Sequence, residues 1–255
     1  MPGLSLATRQ RLAVLAGLAG VTLLAWAQLL RIGWSMDAAM QAGASCELHP
    51  WSRADAALTF AMWAVMMVGM MVPSAAPMSL LFASVARRAR AQGAAVAPTF
   101  VFVAGYVAVW TLFSAAATAV QWGLERAALL SPMLESTSPA FGGALLAAAG
   151  IYQFTPWKDA CLEHCRAPAL FFAAHWREGA LGAFRMGAAH GVYCLGCCWL
   201  LMGLLFFGGV MNLLWVAGIA LFVLLEKLAP HGALAGRVAG AGLLAAGGAI
   251  WAQAL

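Results

Sequence analysis

Apolar residues fall in long stretches with short polar breaks, at about 12 to 33, 57 to 85, 97 to 121, 139 to 157, 181 to 207, 210 to 229 and 232 to 254. A helix crossing a bilayer takes ~20 such residues. The pattern predicts an all-α, polytopic helical membrane bundle of about seven transmembrane helices, forming one integral membrane domain over residues 1–255. Ser138-Pro139 marks a helix start, Ser as N-cap and Pro at the first helical position. Pro73 and Pro77 each deny the second run a backbone hydrogen bond, which predicts a kink with freed carbonyls near Ser74. The first run follows Arg9 and Arg11 and continues without a small-residue cleavage site, so a retained span is expected.

Composition agrees: 64% of the 255 residues are hydrophobic and 9% charged. A nucleotide-hydrolysing or large catalytic domain does not fit. The net charge of +5 comes from basic residues scattered among apolar runs, which argues for membrane orientation and against nucleic acid. With a cytoplasmic N-terminus, the inner side collects Arg9, Arg11, Arg87, Arg88, Arg90, Lys158, Arg166, Arg177, Arg185, Lys227 and Arg237, and the outer side Arg31, Arg53 and Arg126. That bias places the N-terminus inside, the loop 34–56 and the C-terminus outside, and the connection 157–181 inside, as expected of a bacterial inner membrane protein. In the last run Gly232, Gly236 and Gly240 form a small-residue stripe, read either as packing within the bundle or as a homo-oligomer contact.

Candidate chemistry is concentrated in two matched trios. Cys161, His164 and Cys165 (CLEHC) stand at i, i+3 and i+4, and Cys194, Cys197 and Cys198 (CLGCC) repeat that spacing. On a helix each trio shares one face, and His190 extends the second by one turn. Counting from Arg185 at ~1.5 Å per residue, His190 lies roughly 8 Å and Cys198 roughly 20 Å into the membrane. The second run adds a thioether stripe, Met62, Met66 and Met70, beside Met67, Met71 and Met78. Thioethers are neutral soft donors, and Met is also a flexible filler of helix interfaces. The outer loop holds Met36, Met40, Cys46 and His49. His175 and His231 near the inner interface read as solvated, while Asp159 and Glu163 read as partners of Lys158 and Arg166.

Three segments in order, MWAVMMVGMMVPSAAPM (62–78), YQFTPWKDACLEHCRAP (152–168) and GVYCLGCCWLLM (191–202), give the chain its resemblance to a bacterial family of unknown function described as predicted metal-binding integral membrane proteins. The resemblance spans roughly Trp51 to Pro230. It implies metal binding through Cys161, Cys165, Cys194, Cys197, Cys198 and the Met-rich helix.

Clustered thiols, imidazoles and thioethers suit Cu(I) or Zn(II) and not the oxygen-seeking Mg or Ca. Two thiolates with Cu(I) leave one negative charge and four with Zn(II) leave two, so burial favours Cu(I), with zinc suited to the interfacial CLEHC site. With no P-loop, the expected roles are storage, passive transfer or delivery to a donor or acceptor protein. The competing reading is thiol–disulfide electron transfer between Cys161/Cys165 and a pair from Cys194, Cys197 and Cys198. Three ligands on one helical face cannot surround an ion, so the two trios are expected to act together, through Cys161 or Cys165 meeting Cys194.

Overall fold

The computed structural model describes residues 6–41, 51–131 and 134–254. Among them there is no β-strand, only an isolated bridge between Leu130 and Ser136, and the architecture is an all-α bundle. Helix α1 (Leu6–Gln41) runs well past residue 34, so the first part of the expected outer loop is helical. Cys46 and His49 of that loop lie outside the described residues.

Helix α2 (Arg53–Met71) opens with a reciprocal capping box between Ser52 and Asp55. The expected kink is a full break: α2 stops, Pro73–Ala75 form a single 3-10 turn, and α3 (Ala76–Ala91) restarts with Pro77 in its first turn. The break frees carbonyls in an apolar environment, where each needs a donor. The Gly69 carbonyl, whose partner would have been the missing N–H of Pro73, accepts from Trp26 Nε1 at 3.2 Å. The Met71 carbonyl accepts from Ser74 Oγ at 2.9 Å and from the Tyr106 hydroxyl at 3.0 Å. These replacements tie α1, α2 and the next helix together at one level.

That next helix, α4 (Thr99–Arg126), leads through a short connection to α5 (Pro139–Tyr152). As expected, Ser138 caps α5, its hydroxyl accepting from the Phe141 N–H at 3.3 Å. The connection 157–181 is not plain loop but two short helices, α6 (Pro156–Arg166) and α7 (Pro168–His175), each with Pro at its first position. Helix α8 (Gly179–Gly203) continues into the single turn α9 (Leu205–Gly208) and is followed by α10 (Leu213–Leu228) and α11 (Gly232–Ala254).

Among the described residues, five stretches are long and apolar enough to cross a membrane: Ala7–Ser35, Arg53–Met71, Thr99–Arg126, Gly179–Gly208 and Gly232–Gln253. The fourth and sixth expected spans are shorter, as α5 has 14 residues and α10 has 16. Helix α8 lies at the centre, packed on α4 along one side and on α6 along another. The α4–α8 crossing is a backbone contact: at Gly105 and Gly187 the facing main chains of Phe184 and Phe102 occupy the space a Cβ would need.

The Gly232, Gly236 and Gly240 stripe is used inside the chain. It receives Arg166, Gln153, Phe154 and the end of α10, which leaves the packing reading in place of an oligomer contact. One apolar cluster joins Trp63, Met66, Met67, Met70 and Met71 of α2 with Tyr106 and Trp110 of α4 and Cys194, Cys197 and Cys198 of α8. A second joins Met78 and Phe82 of α3, Phe102, Phe171, Phe172 and Met186.

Candidate metal-handling site

The site is built around one turn of α8. Cys197 Sγ and Cys198 Sγ each lie 3.0 Å from the Cys194 carbonyl oxygen and donate to it, the i−3 and i−4 back-bonds that short polar side chains make in helices. All three thiols are fully buried. The fourth comes from α6, where Cys165 packs against the cluster that holds Cys194, Cys197 and Cys198. The neighbouring Cys194 and Cys197 thiols, with burial, push the Cys165 thiol well above its ordinary range.

Cys161 approaches the same stretch of α8 from a different side. It is half-buried against Gly196, where an added Cβ would stand 2.6 Å from its Sγ, so the glycine of CLGCC is the notch that admits α6. Burial, with Cys197 nearby, raises the Cys161 thiol too. The expected meeting of the two trios therefore occurs through Cys165. Helix α6 packs directly against α8, with Lys158 and Leu162 on its buried face.

Sequence reasoning missed the cation. Lys227 enters the site from α10, its Nζ 2.8 Å from Cys194 Sγ and 3.2 Å from Ser74 Oγ. The Tyr106 hydroxyl completes the surround at 3.0 Å from Cys194 Sγ. Thus the break after Met71 supplies both the Ser74 hydroxyl and the carbonyl on which Tyr106 rests. Lys158, counted among the inner-side basic residues, is buried: it is 1% exposed and forks onto Glu226, 2.7 Å to Oε1 and 2.8 Å to Oε2. Its remaining donor meets the Cys197 carbonyl at 3.1 Å. Asp159, read as its partner, instead reaches Arg237 at 3.2 Å. Arg166 closes the end of α10 by donating to the carbonyls of Glu226 at 2.6 Å and Pro230 at 2.9 Å, rather than pairing with an acid.

Met66, Met67, Met70 and Met71 are buried in the cluster that contains the thiols, and Met62 is half-buried at its edge. Met78 belongs to the other cluster. His190 is buried with its ring 5.3 Å from that of Tyr106 and 6.3 Å from that of Phe102, and its Nδ1 has no hydrogen-bond partner among the described residues. His164 is turned away from the thiols onto Tyr193. The five described cysteines are free. Among the described residues no three His, Cys, Asp or Glu side chains are already arranged around a common ion position; Cys197 and Cys198 are bonded to a carbonyl and Cys194 to Lys227.

No curated protein and no solved structure matches the chain. Residues 60–250 match a family described as PpoB2, copper chaperone, and that interval includes the Met-rich segment, α6 and α8 and reaches beyond Pro230 into α11. A copper chaperone handles its metal and is not an enzyme. On that match, which covers most of its length, the chain belongs to the PpoB2 copper chaperone family, and its long apolar helices make it a copper-related membrane protein.

Proposed function

We propose that the chain holds Cu(I), its cargo, among Cys165, Cys194, Cys197 and Cys198 and delivers it to an acceptor protein. The carrying observation is the buried Lys227 ammonium 2.8 Å from Cys194 Sγ. A buried site must be nearly neutral, because net charge in low dielectric is costly. Two thiolates and Cu(I) leave one negative charge, and Lys227 offsets it. Four thiolates on Zn(II) leave two and also need tetrahedral enclosure, which three thiols on one helical face oppose. The thioethers of Met66, Met67, Met70 and Met71 in the same cluster suit the soft ion.

The test is copper content, by mass spectrometry, of the full chain purified with reductant from copper-supplemented cells. Cys194→Ser and Cys165→Ser are each expected to lower bound copper by about tenfold or more, the loss typical of disturbing a metal site. Cys161→Ser, outside the thiol contact, is expected to keep most of it. Full copper in Cys194→Ser, or zinc in place of copper in the unaltered protein, would overturn the reading.

We further infer a cytoplasmic N-terminus and an outer C-terminus, with the α6–α7 hairpin inside. With Lys158 and Lys227 buried, the orienting bias still rests on the other inner-side basic residues against Arg31, Arg53 and Arg126. A C-terminal reporter active only outside the cytoplasm is expected to function. A reporter active only inside would place the hairpin on the other face.

A further inference from the structure

The α6–α7 hairpin carries soft ligands that the thiol group does not use. His164, in the last turn of α6, and His175, at the end of α7, line one cleft with Glu163, Leu170 and Phe171. Glu163 and Leu170 are exposed and the two imidazoles half-buried, so the cleft opens to the surroundings. The ring centroids are 6.4 Å apart and the planes meet at 72°. Each ring is held on a face: His164 lies on Tyr193 at 4.0 Å and 6°, and His175 on Phe171 at 4.7 Å and 15°.

Each ring is also held at Nδ1, which lies 2.8 Å from the Ala160 carbonyl oxygen in His164 and 3.0 Å from the Phe171 carbonyl oxygen in His175. A carbonyl only accepts, so both bonds put the proton on Nδ1 and leave Nε2 with a lone pair to give. Metal-binding imidazoles are commonly oriented in this way, by a carbonyl on the other ring nitrogen. The separation suits an ion as well. Two nitrogens at ~2 Å on opposite sides of a metal, with the ring radii added, set the centroids roughly 6 Å apart.

We propose that His164 and His175 form a surface Cu(I) site, binding through both Nε2 atoms, from which the ion passes to the thiol group. The handover rests on the thiol reading given above, whereas the histidine site stands on its own geometry. His164 is the chain neighbour of Cys165 on α6, and Tyr193, on which it lies, is the chain neighbour of Cys194 on α8. Transfer is ligand exchange: Cu–N bonds are replaced by Cu–S bonds, copper stays Cu(I), and the displaced thiol protons leave to water. Neutral imidazoles at the surface bind the ion less tightly than thiolates, so the exchange runs inward downhill.

The full chain, in detergent with reductant, is titrated with Cu(I) against bicinchoninate, and X-ray absorption is recorded at one and two equivalents. The first equivalent is expected to be sulfur-bound, and the second nitrogen-bound, two-coordinate and about tenfold or more weaker. His164→Gln and His175→Gln should each abolish the second and keep the first, while slowing its filling from a Cu(I) donor. A second equivalent that is missing from the unaltered protein, or unchanged in both variants, overturns the site. Loss of the first equivalent in both variants also overturns it, because the histidines would then act through the fold. A nitrogen-bound equivalent without any sulfur-bound one would support the histidine site and sink the thiol reading alone.

Discussion

Gly187→Ala is expected to be the most damaging glycine-to-alanine change among the described residues. The new Cβ would fall inside van der Waals contact of the Phe102 carbonyl oxygen and close to the Tyr106 N–H, both backbone groups of α4 that cannot rotate away. Overpacking usually costs about 1–3 kcal/mol, and a clash with the main chain of a facing helix belongs at or above the top of that range. Parting α4 from α8 also draws Tyr106 off Cys194, so any protein that survives should bind copper poorly. Gly218→Ala, where a Cβ meets open space, is the matched control. Equal apparent Tm and yield for the two variants in detergent would show that the crossing is looser than described.

Lys158→Met should rank second. Glu226 is wholly buried, and removing its counter-ion leaves a carboxylate in low dielectric, a change worth about 3–5 kcal/mol. Adding Glu226→Leu should restore most of the loss, since replacing a buried pair by apolar residues of similar volume is often close to neutral. Thermal unfolding of the single and double variants measures both values. A double variant no more stable than Lys158→Met would assign the loss to the Cys197 carbonyl contact rather than to the ion pair.

Much of this was legible in the chain. The i, i+3, i+4 spacing of Cys194, Cys197 and Cys198 put three thiols on one face because α8 is a continuous helix across them. The Pro73/Pro77 pair announced freed carbonyls beside Ser74, and the molecule uses them. The same break limited the methionine stripe, because helical phase carries through Met71 but is reset by the 3-10 turn, and Met78 joins another cluster.

Which cysteine of CLEHC reaches α8 depends on the roll of α6, which local periodicity does not specify. Lys227 and Lys158 were missed because counting basic residues as membrane flanks treats all of them alike. The available signal was Glu226-Lys227 inside an apolar run, where ionisable residues point to function. His175 looked solvated because its partner, His164, becomes its neighbour only when α6 and α7 fold into a hairpin.

The adjacency of Glu226 and Lys227 also answers a problem of assembly. Lipid tails are as apolar as the surface of α10, so burial gives that helix little reason to choose one rotation over another. Successive helical residues point ~100° apart, and these two carry opposite charge toward two different receivers, the Lys158 ammonium and the Cys194 sulfur. A turn of one residue would bring carboxylate to sulfur in one sense, or ammonium to ammonium in the other, and either way both attractions are lost. The pair therefore works as a key with a single seating, and α10 can dock in only one register.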